Sequence, residues 1–483
     1  MGKPNDKLDH ARVPFATIAE LNAALQARQI SSRDLAKIFG KRLDSLGPQY
    51  NALALSLTGK SHRAAKDADD DLKRERFRGP LQGIPYGVKD LFSVAGHPTT
   101  WGAKPYEDQV FDYDAAVVSR LNAKGGVLLG KLAMVELAGG GGYSSASASL
   151  HGPGMNPWNK SYWSGGSSSG SAIAVAAGLL PYALGSETSG SILTPACFCG
   201  VSGLRPTYGL VSRSGAMALS WTLDKVGVLA RCANDCGLVL HEIAGGDDND
   251  PGSAHKSFYY TPDYYRRFSD MRIGYAEIDF AEWPDQPLRP AFGSALSVVK
   301  SFCPQMLETK LPEVPYGPVI GTIIDSEAAS IFEQFIRTGK VDQLADQAQI
   351  DGLKASLTYT ALDYLKAMRI RTQILTAFHE LFAGLDLLVA PTRFNLPDRS
   401  DQPFDETPPK RPEQKGVGAG LVQASNLAGL PALTVPCGFV NGLPIGLQIV
   451  GPPFSENRIL AFGREFQNRT EFHKQHPPEL SRT

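Results

Sequence analysis

The chain has 483 residues, of which 42% are hydrophobic and 20% charged, as in a globular protein with a sizeable core. Its 48 basic and 49 acidic residues leave a net charge of −1, which gives no electrostatic attraction for nucleic acid or an anionic membrane. We therefore expect neither as a partner. No apolar run of about 18 residues is present, and residues 1–15 lack an apolar signal core, which favours a cytoplasmic location.

The first predicted elements are helices. Apolar residues keep helical spacing across 17–46, which predicts two helices, and Ser31 with Asp34 resembles a capping box at the start of the second. The highly charged stretch 61–76 carries alanines on one side and predicts a solvated surface helix.

Between 79 and 230 the chain is rich in Gly, Ser and Pro but keeps short apolar runs, such as 127–129 and 179–184. These runs alternate with helical patterns such as 115–124, which predicts an α/β sheet with covering helices. The apolar runs argue against disorder, because disordered tracts cannot bury enough apolar surface to fold. The glycine clusters instead indicate backbone held close to a ligand.

A lysine lies in the short apolar segment 83–90. Lys89 among apolar neighbours must be either desolvated or paired with an acid. Desolvation lowers the pKa of a lysine and can leave a neutral amine that accepts a proton. The alternative is a buried ion pair with Asp90 or another acid.

Three serines in the segment 165–170 precede a predicted helix at 171–177. Free N–H groups at a helix N-terminus need partners, so N-capping alone would explain Ser167. The same letters fit the G-x-S-x-G elbow with Ser168 as nucleophile. A nucleophile elbow needs a buried strand directly before it, and residues 162–164 make a poor buried strand.

The small-residue turn 188–191 follows a predicted strand. Successive N–H groups in such a turn can converge as an oxyanion hole, in which each donor is worth roughly 3–4 kcal/mol. Ser191, at the end of the turn, could attack a carbonyl whose oxygen lies there. A tight turn in a serine-rich protein is the alternative.

The remaining segments add no second site. Six cysteines are too few for a disulfide scaffold, and neither the pair Cys197 and Cys199 nor the pair Cys232 and Cys236 has a partner pair at zinc spacing. We expect buried reduced thiols, no metal and no cofactor. Further predictions are a helix at 327–337, a proline-rich turn at 312–318, a polar loop at 400–415, and strands at 385–392, 432–436 and 445–450.

Together these segments resemble the amidase signature family. The glycine-serine segment around Ser167 is that family's fingerprint, and the resemblance covers 17–252 and 360–466. It implies one domain over 1–483, an α/β/α sandwich with a large mixed central sheet, in which 255–360 and the polar loop 400–418 shape substrate entry. Further matching segments follow in the family's order at 88–92, 95–100, 129–131, 136–138, 200–209 and 426–431.

The resemblance implies a hydrolase that cleaves a carboxamide C–N bond through an acyl-enzyme on Ser191. Ser167, typically held by a cis peptide with Gly166, would pass the serine proton to neutral Lys89 as general base. The oxyanion hole would be formed by the backbone N–H groups of Thr188, Ser189, Gly190 and Ser191.

The nucleophile loop departs from the family's common pattern Asp-Thr-Gly-Gly-Ser-Ile-Arg. Leu193 stands where some members have an arginine that helps bind an acidic substrate group, so we expect a neutral or apolar acyl portion. Glu187 in place of Asp is similar to the peptide amidase branch. Amides, esters and carbamates all fit acyl-enzyme chemistry.

A run of four glycines at 139–142 corresponds to a pocket wall in relatives. It would leave an open, adaptable surface, and we expect Gly141 and Tyr143 to contact the substrate. Tyr143 or Trp163 would either stack on an aromatic substrate group or fill the core.

Three functions stay open. The first is a stand-alone amidase that binds a small amide-type substrate, with no nucleic acid and no membrane; the resemblance also allows a homodimer. The second is the A subunit of an aminoacyl-tRNA amidotransferase, which would need further partner proteins and consume glutamine; Leu193 and the unusual loop count against it. The third is a non-catalytic binding protein, against which the complete set of Ser191, Ser167 and Lys89 counts.

Overall fold

The computed structural model of the protein describes residues 12–262, 267–404 and 410–481. The strands in these ranges are β1 (Leu53–Ser56), β2 (Pro85–Lys89), β3 (Val127–Leu132), β4 (Met155–Asn156), β5 (Asn159–Trp163), β6 (Tyr182–Glu187), β7 (Ser202–Arg205), β8 (Lys225–Ala230), β9 (Ile273–Tyr275), β10 (Met306–Glu308), β11 (Leu387–Pro391), β12 (Ala432–Val440) and β13 (Leu443–Val450).

The helices of the same ranges are α1 (Ile18–Gln26), α2 (Ser32–Leu46), α3 (Thr58–Lys73), α4 (Ala116–Ala123), α5 (Ser169–Ala176), α6 (Leu193–Cys199), α7 (Ala233–Ile243), α8 (Ile278–Ala281), α9 (Arg289–Phe302), α10 (Tyr316–Ile331), α11 (Glu333–Arg337), α12 (Gln347–Ser356), α13 (Ala361–Gly384), α14 (Gly418–Leu427) and α15 (Glu456–Thr470).

One mixed sheet organises the protein. Within the described ranges it has 11 strands in the order β1-β3-β2-β6-β8-β7-β12-β13-β11-β9-β10. β2 is parallel to both of its neighbours, β3 and β6, whereas β12 is antiparallel to β7 and β13. Helices α5, α6, α7 and α15 pack on the central strands. The predicted α/β sandwich with a large mixed central sheet is confirmed.

The N-terminal helices form where their sequence signals lie. Ser31 and Asp34 make the reciprocal bonds of a capping box at the start of α2: Asp34 N donates to Ser31 Oγ at 3.1 Å and Ser31 N to Asp34 Oδ2 at 3.2 Å. Helix α3 packs against α2 and β3 with Ala65 and Ala68 buried, while most of its charged side chains face solvent.

Three segments refine the sequence-based predictions. The segment before Ser164 belongs to a strand, β5, which is mostly exposed and pairs with β4 in a ribbon separate from the main sheet, with a further bridge from Tyr162 to Arg399. The helix predicted at 327–337 is two helices, because α10 ends before Phe332 and α11 begins after it. In the polar loop 400–418, residues 405–409 lie outside the described residues, and α14 begins at Gly418.

The core is apolar and the thiols lie within it. β2, β8 and β13 are buried at every residue, since both faces of the central sheet are covered. The six cysteines are buried free thiols, as predicted. None of the helices in the described ranges combines the length and the apolar composition needed to cross a bilayer.

Candidate active site

The candidate site lies where two neighbouring parallel strands end. Lys89 is the last residue of β2, and Ser186 is the penultimate residue of β6. Because the carboxyl ends of parallel strands meet at one edge of a sheet, their side chains approach each other there. Lys89 Nζ donates a hydrogen bond to Ser186 Oγ at 3.0 Å.

Lys89 and Ser167 are directly hydrogen bonded. Lys89 Nζ donates to Ser167 Oγ at 2.7 Å, and both residues are almost completely buried. The peptide between Gly166 and Ser167 is cis, as the resemblance implies. Burial lowers the pKa of Lys89 to about 7, although Asp224 and Glu187 act in the opposite direction. Burial therefore favours the neutral amine of this lysine more than in an exposed lysine.

The alternative in which Lys89 pairs with Asp90 is wrong. Asp90 instead forms a buried ion pair with Lys131, whose Nζ lies 2.7 Å from Asp90 Oδ1. Asp90 Oδ2 also accepts hydrogen bonds from the backbone and hydroxyl of Thr100. Asp90 therefore pairs with the second buried lysine, Lys131, whereas Lys89 is hydrogen bonded to Ser167.

Ser191 lies beside the cis-peptide segment. Its carbonyl oxygen accepts a hydrogen bond of 3.1 Å from the N–H of Ser168, the residue after Ser167. Ser191 is buried, with 9% of the residue exposed. This backbone contact joins the serine-rich segment 165–170 to the turn 188–191.

Glu187 holds the turn that carries Ser191. Its Oε2 accepts hydrogen bonds from the N–H groups of Ile192 and Leu193 at 2.9 and 3.0 Å, while its Oε1 pairs with Arg205 at 2.7 Å. Burial raises the pKa of Glu187, but Arg205, a bond from Asn426 and these N–H groups outweigh burial and hold the pKa at about 2. A buried carboxylate therefore fixes the chain on both sides of Ser191.

Asp224 fixes the other end of the same turn. Its Oδ1 accepts a bond of 2.6 Å from Thr188 Oγ1, and its Oδ2 accepts bonds from the N–H groups of Leu219 and Ser220. Burial raises the pKa of Asp224, which these donors partly offset. Asp224 thereby ties the turn 188–191 to the loop before β8.

The turn 188–191 presents free backbone donors. In the part of the chain that the structure describes, the N–H groups of Ser189, Gly190 and Ser191 donate to no protein acceptor. Gly190 has φ +89°, a conformation that favours glycine and makes the sharp turn. A substrate oxyanion would be a complementary acceptor for these groups.

The elbow with Ser168 as nucleophile does not fit. Ser168 is fully buried; its Oγ donates to the carbonyl of Ser186 at 3.1 Å and accepts from the N–H of Ser186 at 3.3 Å. Its hydroxyl therefore joins the start of α5 to β6, and β5 before it is not a buried strand of the main sheet.

Tyr143 and Trp163 pack against each other. Their ring centroids are 5.9 Å apart, and Phe404 lies 5.8 Å from Tyr143 and 4.6 Å from Trp163. A Cβ added to Gly166 would lie 3.3 Å from Tyr143 Oη, so the phenol borders the cis-peptide segment. Tyr143 packs edge-on against the other two rings, and Trp163 and Phe404 are tilted against each other. This is the core-filling alternative, while Tyr143 still lies next to the candidate site.

The glycine segment 139–142 is not an open wall. A Cβ at Gly141 would lie only 2.7 Å from the backbone nitrogen of Leu353 in α12. Gln349 Nε2 donates to the carbonyls of Glu136 and Gly140. Close packing on α12 therefore explains Gly141, and a helix from the region 255–360 covers this part of the site.

Leu193 packs inside the protein. It is fully buried in an apolar cluster that includes Leu421 and Leu427 of α14. The missing arginine is thus replaced by a core contact. Leu193 alone does not decide the charge of the substrate.

Comparison with known proteins identifies the family. The model of the amidase family matches residues 34–460. The chain belongs to the amidase family. It is 37% identical to a glutamyl-tRNA(Gln) amidotransferase subunit of Halorhodospira halophila, over 95% of this chain and 98% of the relative.

Solved structures of the family share the fold. A chain from a vestigial protein complex that reveals the origins of an s-triazine catabolic enzyme has a TM-score of 0.85 and 28% identity, covering 94% of this chain and 98% of that one. The peptide amidase of Stenotrophomonas maltophilia has a TM-score of 0.81 and 29% identity, covering 96% and 98%. The resemblance and the amide-cleaving class of enzyme are confirmed.

One sequence-based expectation is wrong. We expected a small-molecule substrate, no nucleic acid and at most a second copy as partners, but relatives that match over nearly their full length are named as subunits of an enzyme for glutamyl-tRNA(Gln). A net charge of −1 describes this chain alone. It carries no information about other subunits.

Several supporting residues were missed from the sequence. Ser186, Asp224 and the pair Arg205 and Glu187 hold the candidate site, yet no role was assigned to any of them. Arg205 and Asn426 do lie in segments that match the family, at 200–209 and 426–431. The buried contact of Asn426 with Glu187 joins segments more than 200 residues apart, which no local pattern shows.

Proposed function

We propose that the protein cleaves an amide through an acyl-enzyme on Ser191, with Ser167 as proton bridge and Lys89 as general base. The observation that carries this proposal is the hydrogen bond of 2.7 Å between Lys89 Nζ and Ser167 Oγ, made by a buried lysine whose pKa is lowered to about 7. A base whose pKa lies near the working pH is present in its unprotonated form and is still basic enough to accept the proton.

The proposed reaction has two halves. In the first, Ser191 Oγ attacks the amide carbonyl while its proton passes to Ser167 Oγ and the Ser167 proton passes to Lys89 Nζ. The N–H groups of Ser189, Gly190 and Ser191 stabilise the oxyanion. The C–N bond breaks as the amine takes a proton back from Lys89 through Ser167. In the second half, water attacks the acyl-enzyme by the same relay and releases the acid.

For the biological role, we propose a catalytic component of the amidotransferase type, which releases ammonia from an amide such as that of glutamine. The support is a relative named as part of such an enzyme, which is more similar in sequence than the peptide amidase and matches over almost the whole of both chains. In that role the chain works with partner proteins that deliver the ammonia to glutamyl-tRNA.

A second candidate is a stand-alone amidase. One observation favours it: Leu193 and Ser189 depart from the family's common nucleophile loop. The peptide amidase, which shares the fold over almost the whole chain, is a precedent for an amidase with this fold. Under this candidate the purified chain turns over simple amides without any partner.

The decisive experiment follows covalent labelling and ammonia release together. We expect a fluorophosphonate to label the wild type and Ser168→Ala but not Ser191→Ala, and glutamine hydrolysis to follow the same order. Ser168→Ala is the matched control, because it removes a neighbouring buried hydroxyl that the proposal leaves outside the relay. Labelling that persists in Ser191→Ala, or is lost only in Ser168→Ala, would refute the assignment.

A further inference from the structure

The backbone around Ser167 is held by a neighbouring segment. The N–H of Val135 donates a hydrogen bond of 3.2 Å to the carbonyl of Ser167. A Cβ added to Gly166 would lie only 2.7 Å from Val135 Cγ2 and 3.3 Å from Tyr143 Oη. Both ends of the segment 135–143 therefore border the backbone that carries the proposed proton bridge, and the position of the segment helps to set the position of that serine.

Between these two contacts the chain has a conformation that needs outside support. Leu137 has φ +46° and Ala138 has φ +56°, in the left-handed region that residues with a side chain adopt only rarely. Such conformations persist only where the surrounding structure holds them. Contacts from another part of the chain are therefore needed to keep the segment 135–143 in place.

Helix α12 supplies such contacts at the centre of the segment. Gln349, which is fully buried, donates from Nε2 to the carbonyls of Glu136 and Gly140 at 2.8 and 3.0 Å. These two carbonyls lie on either side of the left-handed residues. The N–H of Ala345, just before α12, donates to both carboxylate oxygens of Glu136 at 3.1 and 3.0 Å. The start of α12 thus closes the turn that contains the left-handed residues.

Asp346 holds the far end of the segment. It is buried, and its Oδ2 accepts hydrogen bonds from the N–H and the hydroxyl of Ser144, both at 3.0 Å, and from the hydroxyl of Ser145 at 3.3 Å. Its Oδ1 accepts a bond of 3.1 Å from the N–H of Gln349, as the N-cap of α12. One carboxylate therefore caps α12 and fixes the residues that directly follow Tyr143.

We propose that Asp346 is a positioning residue for the proton relay, which acts through the segment 135–145 on the backbone of Ser167. This inference rests on the proposed relay and adds to it a residue from the region 255–360. Loss of the Asp346 carboxylate would change the alignment of the relay and leave its chemical groups intact. A misplacement of about 1 Å can cost about 100-fold in rate.

The test measures how fast a fluorophosphonate labels Ser191. The saturating rate of labelling, kinact, reports the activation of the serine, and the half-saturating concentration, KI, reports binding of the probe. We expect Asp346→Ala to lower kinact about 10- to 100-fold at unchanged KI, with all of the protein labelled in the end. A variant that is only less stable would leave part of the protein unlabelled, while the rest would react at the wild-type rate.

Three further variants make the test specific. Asp346→Asn keeps one acceptor oxygen and should fall between Asp346→Ala and the wild type. Gln349→Met removes both donors at a similar side-chain length and should also lower kinact, so the test does not depend on the folding of Asp346→Ala. Asp342→Ala is the matched control: this exposed carboxylate before α12 pairs with the exposed Lys354, and its loss should leave kinact unchanged.

The outcomes separate this inference from the proposed function. Wild-type kinact in Asp346→Ala and Gln349→Met, or an equal fall in Asp342→Ala, overturns the positioning role and leaves the relay standing. If even the wild type is not labelled at Ser191, the proposed function fails, and amide hydrogen exchange at Val135 then tests the hold on the segment by itself. Faster exchange in Asp346→Ala than in Asp342→Ala supports that hold, and equal exchange overturns it.

Discussion

Lys89 shows how one side chain sets the pH range of the proposed reaction. A general base must be unprotonated, and burial lowers the pKa of this lysine to about 7. We therefore expect kcat/KM to rise about tenfold per pH unit below pH 7 and to level off above it. The measurement is kcat/KM between pH 5 and 9 on a neutral amide. A profile that rises only towards pH 10 would show an ordinary lysine and contradict the assignment.

At the residue scale, the sequence identified Lys89 as a candidate but could not decide which of two roles it has. Lys89 could have been a base or the partner of Asp90, and both follow from a lysine next to an aspartate in an apolar segment. The choice depends on Lys131, which lies in β3 and takes Asp90. Strand pairing brings these residues together, and single-chain periodicity does not report which strands become neighbours.

At the scale of the element, the turn 188–191 depends on one buried carboxylate. Glu187→Gln removes the charge that Arg205 and two backbone N–H groups share, and leaves the buried arginine uncompensated. We expect a loss of about 3–5 kcal/mol in the free energy of unfolding, as when one partner of a buried pair is removed. Denaturant unfolding at pH 7 measures it.

The control and the pH dependence sharpen this prediction. Glu333→Gln removes an exposed ion pair with Arg337 and should cost less than about 1 kcal/mol. Since the folded pKa of Glu187 is about 2, below its ordinary 4.5, its contribution is complete above pH 4.5 and is lost as the pH falls through 2. Equal losses in the two variants at pH 7 would argue against the turn-holding role.

A second element-scale prediction concerns the contact between the glycine segment and α12. Gly141 and Gly142 both have φ near +80°, but a Cβ would meet α12 backbone at 2.7 Å only at Gly141 and nothing within 4 Å at Gly142. Both alanine variants share the strain of positive φ, so their difference isolates the clash. We expect Gly141→Ala to be less stable than Gly142→Ala by about 1–3 kcal/mol, measured by denaturant unfolding. Equal stability would show that α12 moves freely away.

Elements with a strong local signal were predictable. The capping box at Ser31 and the buried run of β2 need no distant contact to be recognised. The segment 162–164 was predicted to make a poor buried strand, and β5 is indeed mostly exposed, because a short strand in a two-stranded ribbon carries little apolar alternation. The break between α10 and α11 falls at Phe332, inside a continuous helical pattern, so only tertiary packing reveals it.

On the scale of the whole molecule, the order of the strands in the sheet could not be predicted from the sequence. The β12 strand lies between β7 and β13, so a strand after residue 430 pairs with one that ends at Arg205. Arg205 further donates to the carbonyl of Leu430 at 3.1 and 2.9 Å. Such long-range pairing leaves no periodic trace, and the resemblance to a known family was needed to expect a single large sheet.

This connectivity leads to a prediction about unfolding. If the region 255–360 were an independent domain, its loss of structure would precede that of the core; yet β9 and β10 extend the main sheet beside β11. We therefore expect one domain and a single cooperative transition, in which tryptophan fluorescence and far-UV circular dichroism give the same midpoint in urea. Trp283 lies in this region, and Trp163 lies against the cis-peptide segment of the candidate site, so fluorescence samples both parts. Two separated transitions would show that the region folds on its own and would reassign it as a second domain.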